Sequence, residues 1–283
     1  MKASKESLRL AKLSLASEIK NPTLYVILLC VFFLIQFCFQ GISPYLKSVS
    51  GQMNVFELYI FFMSSRTSQM LYLLGQIMLS CGVLFFHTGA AYHLIRTNRK
   101  RWLKSQIIYL MVMTIGYNIF IFLSLTLALN GQVTFENEWS SAMMIAAQFS
   151  SIEKIGAYAI SIVVPGLMQT HPMQAVLITF ALSIIVGLLV GLIMISSTSS
   201  NKTAIGFVTI TVFWFVDILV ENVPAISGLT YISPFGLARI YRLSVTGSGP
   251  DFRYALVVLL IMAITMVFVL SKSIRKLDFV KLE

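Results

Sequence analysis

The stretch TLYVILLCVFFLIQFCFQGI, residues 23–42, has no charged side chain among its twenty residues. A helix needs about 20 mostly apolar residues to cross the hydrocarbon core of a bilayer. The run exceeds the roughly 7–15 apolar residues of a signal peptide, and no A-x-A-like cleavage site follows it. Asn21 is placed to cap the helix, and Pro22 suits its first turn, where a missing backbone N–H costs nothing. These features predict a membrane-spanning helix.

Apolar runs of this length recur along the chain, and the composition agrees with them. Of its 283 residues, 57% are hydrophobic and 11% are charged, and the mean hydropathy is +0.84. A soluble globular protein carries about 25% charged residues. Closed β-barrels also satisfy every backbone group in lipid, but they consist of short alternating segments rather than continuous apolar blocks. The sequence therefore predicts an all-α, polytopic membrane protein that forms one transmembrane domain over residues 1–283.

Six spanning helices are expected. They cover residues 23–42, 70–94, 107–129, 173–196, 203–220 and 254–270. Two further apolar stretches, 55–63 and 155–168, are too short to cross the membrane. The second also contains Pro165, which would remove a hydrogen bond from a helix interior. Both stretches are interpreted as interfacial or re-entrant pieces on one side of the membrane.

The net charge of +10 is spread over the ends of the apolar runs, which is the pattern of topology signals rather than of a nucleic-acid-binding domain. Basic residues gather at the N-terminus, in segment 95–106, at Lys202 and in the C-terminal tail. One Arg or Lys at a helix centre costs about 2.5–3.5 kcal/mol on the insertion scale. All four groups are therefore predicted to be cytoplasmic, with both termini inside and six crossings. The outer loops are then 131–172 and 221–253.

The densest basic group lies in LIRTNRKRWLKSQ, residues 94–106. Its cations and its single tryptophan are Arg96, Arg99, Lys100, Arg101, Trp102 and Lys104. On a helix, cations at four-residue steps would align and repel one another by roughly a few tenths of a kcal/mol per pair, which favours an anionic partner surface. Trp102 lies off that ridge and can anchor at the headgroup level. Two interpretations stay open: a loop that touches only acidic lipid, or a docking surface for a protein.

A second group of charges lies near the outer end of the fifth span. Asp217 and Glu221 are four residues apart, so they share a helix face. Arg239 and Arg242 belong to SPFGLARIYRL, residues 233–243, which begins with a serine that can cap a helix and a proline suited to its first turn. One hypothesis is that this short outer helix folds back and pairs its arginines with the two acids. The alternative is that all four side chains are solvated.

Motifs of catalysis and of cofactor binding are missing from the sequence. It contains no G-x-S-x-G, H-E-x-x-H or paired-cysteine motif, and no G-x-x-x-x-G-K-[ST] phosphate loop. His87 and His93 are six residues apart and point to different helix faces, and His171 has no evident partner. The chain is therefore expected to hold no metal and not to be an enzyme. Any ATP hydrolysis would be supplied by another polypeptide.

Some polar and small residues fall inside the predicted spans. The polar ones could line a pathway or join helices: Thr114, Tyr117, Asn118 and Ser183. Gly187 and Gly191 form a G-x-x-x-G pattern that permits close helix approach.

Residues 1–21 are predicted to form an amphipathic helix that lies at the membrane surface and bends at Asn21–Pro22 into the first span. Leu8, Ala11, Leu15 and Ile19 share a stripe on this helix, which Lys12 interrupts. A basic cytoplasmic segment then follows the second span, a very short turn follows the fourth, and a small capped outer helix precedes the sixth. Over essentially the whole chain, this order resembles the permease subunit of ABC-2-type exporters.

The resemblance implies a transmembrane permease subunit of an ATP-driven exporter in the cell membrane. Residues 1–21 would be the elbow helix, segment 95–106 the coupling helix that docks on a separate ATPase, and 233–243 part of the outer re-entrant helices. The expected partners are cytosolic nucleotide-binding subunits, which would carry ATP and Mg, a second permease copy or a related chain, and the lipid bilayer. The chain itself would bind no cofactor and no nucleic acid.

Other classes of protein remain as rivals. A gradient-driven secondary transporter or channel should show internal repeats and ionisable groups near the membrane midplane. A non-transporting assembly or sensor subunit would need neither. An intramembrane enzyme is disfavoured because no nucleophile–base or metal constellation is present.

Overall fold

The computed structural model describes residues 2–85, 99–142, 144, 170–200, 202–243 and 249–275, and it is almost entirely helical. In chain order, its elements are helices α1 (Lys2–Ile19), α2 (Pro22–Phe39) and α3 (Ile42–Ser48), strand β1 (Met53–Asn54), helices α4 (Val55–Ser64), α5 (Arg66–Phe85) and α6 (Arg99–Ala128), strand β2 (Val133–Thr134), helices α7 (Pro172–Ser199) and α8 (Thr203–Asn222), a 3-10 helix (Pro224–Tyr231), helix α9 (Pro234–Leu237), a 3-10 helix (Ile240–Arg242) and helix α10 (Phe252–Arg275). The chain is thus an all-α protein in these ranges, apart from two strands of two residues each.

Five helical stretches in the described ranges are long and apolar enough to cross a membrane. They are Pro22–Ser48, Arg99–Ala128, Pro172–Ser199, Thr203–Val220 and Phe252–Ile274. These stretches correspond to the first, third, fourth, fifth and sixth predicted spans, and they make the chain a polytopic membrane protein. The predicted second span, 70–94, is helical as far as Phe85, where α5 ends. Its remainder and the predicted short piece 155–168 lie outside the described residues.

The spans form a bundle with two distinct ends. Arg99 begins α6 and Ser199 ends α7 at one end, where Ser199 Oγ lies 3.1 Å from Ser273 Oγ of α10. We call this the basic end. The opposite end, which we call the loop end, carries the parallel pair of strands β1 and β2. Helix α7 lies at the centre, in contact with α4, α5, α6, α8 and α10.

Local sequence signals set the starts of two helices as predicted. The Asn21 side chain accepts a hydrogen bond from the Thr23 N–H at 3.0 Å, and Pro22 is the first residue of α2. Ser233 caps α9 by accepting from the Gly236 N–H at 3.2 Å. However, α9 has four residues only, and the predicted outer helix 233–243 continues as a separate 3-10 turn.

Helix α4 is enclosed by the bundle rather than exposed at a membrane surface. The predicted interfacial or re-entrant piece 55–63 forms this helix, and its residues are buried apart from partly exposed Phe56. Its neighbours include α5, α6 and α7. A helix that is apolar on all sides is stable only when it is surrounded. After an extended residue at Ser65, α5 starts at Arg66, four residues before the predicted start at residue 70.

Helix α1 packs on α6. Among its described side chains, Ser7, Ala11 and Glu18 are buried, while Leu8 and Ile19 are 48% and 53% exposed. Of the predicted stripe Leu8, Ala11, Leu15 and Ile19, Ala11 therefore faces the protein, and Leu8 and Ile19 are about half exposed. Small Ser7 and Ala11 allow the two helix backbones to approach closely, which leaves the larger apolar side chains at the margin of the contact.

Candidate functional site

The predicted coupling segment is continuous with the third span. The structure has one uninterrupted helix, α6, from Arg99 to Ala128, whereas a separate coupling helix 95–106 and a span 107–129 were expected. The first glycine in α6 is Gly116, and the helix contains no proline, so nothing in the sequence breaks the helix at residue 106. Arg96 lies outside the described residues.

The basic side chains at the start of α6 differ in their exposure. Arg99, Lys100 and Lys104 are exposed at the basic end of the bundle. Arg101 is partly exposed and forms an ion pair with Glu6 of α1. Exposed ion pairs contribute at most about 1 kcal/mol, so this pair orients α1 on α6 more than it stabilises the fold. These three side chains therefore lie at the protein surface, and their contact with a partner stays a prediction.

Trp102 is buried, with 5% of its surface exposed. Its cluster joins three spans at the basic end, and its other members are Tyr109, Leu110, Leu192, Ile195, Leu270 and Ile274. The expectation that Trp102 reaches the headgroup level or a partner is wrong for this structure. An indole placed between three helices fixes the basic turns of α6 to α7 and α10.

The charged residues near the loop end form a buried network. Arg239 Nη2 lies 2.8 Å from Asp217 Oδ2, and both side chains are fully buried. Arg242 Nη1 lies 2.6 Å from Asp217 Oδ1. The Ser233 hydroxyl donates to Asp217 Oδ1 at 3.2 Å. This arrangement agrees with the hypothesis that the outer segment folds back onto Asp217. The side chain of Glu221 is not among those that the structure describes.

Gln69 ties this network to α5. Arg239 Nε donates to Gln69 Oε1 at 2.9 Å, and Gln69 Nε2 donates to the Phe235 carbonyl at 3.0 Å. The network therefore joins α5 and α8 to the outer segment, residues 233–243. The role of Gln69 was not predicted, because this residue precedes the predicted start of the second span, where a glutamine is expected to be a solvated loop residue.

An apolar cleft lies between α5 and α8, next to this network. Its volume is about 240 Å³. It is lined by Met70, Leu73, Leu74, Ile77, Met78, Phe207, Ile210, Thr211 and Trp214. The Thr211 hydroxyl donates to the Phe207 carbonyl at 2.9 Å within its own helix. The cleft therefore offers hydrocarbon-like walls without a charged side chain.

The predicted polar residues of the third and fourth spans join helices in the bundle interior. Ser183 Oγ donates to Asn118 Oδ1 at 2.8 Å, and Tyr59 of α4 donates to the same oxygen at 2.7 Å. Tyr72 of α5 donates to the Ser183 carbonyl at 2.8 Å. Gln76 Nε2 and Thr114 Oγ1 form a further bond of 2.9 Å. Tyr59 was not expected here, because α4 was not expected inside the bundle, and Tyr72 and Gln76 were not singled out within the predicted second span.

The glycines of α7 allow this close packing. A Cβ atom at Gly187 would lie 2.5 Å from Tyr72 Oη and 2.6 Å from Thr114 Cγ2. At Gly191 it would lie 2.9 Å from Leu110 Cδ2. The G-x-x-x-G pattern thus serves close helix approach, as the sequence predicted.

At the loop end, Glu57 of α4 holds the segment that follows β2. Its carboxylate accepts from the Ser140 N–H and, at 2.6 Å, from the Ser140 hydroxyl. The Asn54 amide donates to the Glu138 carbonyl at 3.1 Å. Glu57 lies outside the five spanning stretches. Burial raises the pKa of its carboxyl above the ordinary value, and the hydrogen bonds from Ser140 oppose that shift.

Metal-binding side chains are not grouped in the ranges that the structure describes: no three His, Cys, Asp or Glu residues lie together there. His171 precedes α7 without a capping hydrogen bond from its side chain. His87 and His93 lie outside those ranges.

The chain was compared with family models, with characterised proteins and with solved structures. None of them matches it. Its function is therefore inferred from the sequence pattern and from the sites described above.

Proposed function

We propose that the chain is the transmembrane permease subunit of an ATP-driven exporter of the ABC-2 type. It has six spans in this proposal, with both termini in the cytoplasm, and it belongs to the cell membrane. Two cytosolic ATPase subunits carry ATP and Mg, and a second permease copy or a related chain completes the path. The chain contributes the path and no catalytic residue.

The observation that carries the proposal is the form of α6. Thirty helical residues extend about 45 Å, whereas the hydrocarbon core is about 30 Å thick. The helix therefore projects beyond the membrane, and its projecting turns present Arg99, Lys100 and Lys104. The same helix carries Thr114 and Asn118 deep in the bundle. A partner that moves the basic turns moves the interior of the bundle with them.

The apolar cleft between α5 and α8 supports a path for amphiphilic cargo. Its walls carry no charge, so they suit an apolar chain better than a sugar or an ion. The Asp217–Arg239 network next to it links the two walls through the outer segment. Closing or opening the cleft would therefore act on this network.

The basic turns of α6 give the test of partner binding. Replacing Arg99, Lys100 and Lys104 with Glu should abolish co-purification of an ATPase subunit from host membranes, because like charges would then meet an acidic surface. Membrane insertion should be unchanged, since all three side chains are exposed. A control variant replaces Lys47 and Arg253 with Glu, because both side chains are exposed elsewhere on the chain. Undiminished co-purification of the ATPase by the triple variant would contradict the proposal.

A gradient-driven transporter is the second candidate, and a specific feature favours it. Asp217 and Arg239 are buried charges in a membrane chain, and α4 and α5 form a helix interrupted at Ser65. Both features occur at the ion sites of secondary transporters. Cargo flux through the purified chain alone, driven by a proton or sodium gradient, would favour this candidate over the first.

A further inference from the structure

Helix α1 presents a basic ridge on the side that faces away from α6. Arg9, Lys12 and Lys20 are exposed. Successive helical residues are turned by about 100°, so Arg9 and Lys12 lie about 60° apart on α1, and Lys20 directly follows the last helical residue, Ile19. Arg9 and Lys12 lie opposite the buried side of the helix. The ridge is thus a coherent face and not a scatter of cations around the helix.

Apolar side chains border this ridge on both flanks. Leu8 and Ile19 lie on one flank and Leu13 on the other, each about half exposed. Three large apolar side chains in contact with water are unfavourable, whereas contact with acyl chains removes that cost. Basic and apolar residues side by side are typical of helices that lie in a membrane interface.

The position of α1 brings this face to the membrane boundary. The helix ends at Ile19, three residues before Pro22 begins a span. Its other end is fixed by the Glu6–Arg101 ion pair to the projecting turns of α6. The face therefore lies where lipid headgroups meet the protein.

We propose that this face of α1 binds the anionic headgroups of phospholipids. Arg9, Lys12 and Lys20 contact the phosphates, and the bordering leucine and isoleucine side chains enter the adjacent acyl region. Charge complementarity favours an anionic lipid over a neutral one. The two acidic residues of α1 do not neutralise the ridge, because Glu6 pairs with Arg101 and Glu18 is buried. This site is separate from the basic turns of α6, and it does not depend on the proposed transport function.

Lipid retention by the full-length chain tests the proposal. The purified protein in neutral detergent is equilibrated with equal amounts of phosphatidylglycerol and phosphatidylcholine, and bound lipids are counted by native mass spectrometry. The wild-type chain should retain phosphatidylglycerol in about threefold excess or more. Arg9→Gln with Lys12→Gln should remove at least about half of that excess. The matched control, Lys47→Gln with Arg253→Gln, should leave it unchanged.

A charge-preserving variant and the co-purification of an ATPase subunit separate the possible causes of a change in lipid retention. A charge-preserving variant, Arg9→Lys with Lys12→Arg, should keep the full excess, which separates loss of charge from loss of folding. An unchanged excess in the Gln variant would overturn the proposal, as would an equal loss in the control. If the Gln variant instead keeps the lipid and loses co-purification of an ATPase subunit, the face is a protein contact and the lipid assignment fails.

Discussion

The carboxylate of Asp217 is the centre of a buried cluster of charges. It faces two arginines, and neither Asp217 nor Arg239 has any exposed surface. Asp217→Asn would take the carboxylate away from both arginines, whereas loss of Arg239 leaves Asp217 beside Arg242. A buried charge left without compensation costs about 3–5 kcal/mol. The network should therefore be more sensitive to loss of Asp217 than to loss of either arginine.

Arg239→Met should lower the free energy of unfolding by about 1–3 kcal/mol, less than the loss for a fully uncompensated charge, because Arg242 stays 2.6 Å from Asp217. The double variant with Asp217→Asn should be no more stable than the single variant, because Arg242 then also loses this carboxylate. Thermal unfolding of the purified chain in detergent measures both effects. Arg253→Met is the control, since Arg253 is exposed. A single variant as stable as the wild type would show that the pair does not hold the outer segment.

Gly187 lies at a close contact between α7, α5 and α6. Gly187→Ala should lower the stability by about 1–3 kcal/mol, because the new methyl group overlaps Tyr72 and Thr114 and forces them apart. Gly116 is the matched control: it is also helical, and a Cβ there meets no atom within 4 Å. Gly116→Ala should be neutral or stabilising, because alanine favours helix by about 1 kcal/mol. Equal effects of the two substitutions on the unfolding temperature would argue against close packing at Gly187.

Among the elements, α4 links the loop end to the bundle interior. Glu57 bonds Ser140 near its start, and Tyr59, two residues later, bonds Asn118 and Ser183. A ten-residue helix thus connects the segment after β2 with two other helices, α6 and α7. The element is short and mostly apolar, with Glu57 as its one charged residue, so its sequence alone does not distinguish a surface piece from an enclosed one.

Glu57 should make stability depend on pH. Its pKa in the folded chain is raised above the unfolded value by burial, so the folded state holds its proton to higher pH. Its contribution is then fully present below the unfolded pKa and is lost as pH rises through the folded pKa. The difference in unfolding temperature between the wild type and Glu57→Gln should change across that window, with the wild type losing stability as pH rises. A difference that is constant with pH would contradict the raised pKa.

Helix α6 illustrates where sequence reasoning succeeded and where it did not. The exposed cations Arg99, Lys100 and Lys104 follow from composition, because charge must leave the apolar core. The burial of Trp102 does not, because a tryptophan next to cations is equally typical of a membrane interface and of a packed helix crossing. Only the positions of α7 and α10 decide between them. The same holds for Gln69, whose partners come from segments 166 and 170 residues away in the chain.

At the scale of the whole molecule, hydropathy and charge predicted the class of protein. Five of the six predicted spans correspond to long apolar helices in the described ranges. The internal arrangement of the bundle could not be predicted in the same way. Lipid and protein neighbours are both apolar, so hydropathy does not tell which helix faces which. The central position of α7 depends on its glycines and on Ser183, whose partners are distant in sequence.

Docking of an ATPase on α6 requires the basic end of this helix to face the cytosol. The direct measurement is labelling of intact cells with a membrane-impermeant maleimide, after Cys30, Cys38 and Cys81 have been replaced by Ala. Lys104→Cys and Glu136→Cys place a single thiol at an exposed position at the basic end and after β2 respectively. The Glu136→Cys variant should be labelled in intact cells, and the Lys104→Cys variant only after the membrane is made permeable. Labelling of the Lys104→Cys variant in intact cells would contradict this orientation of α6.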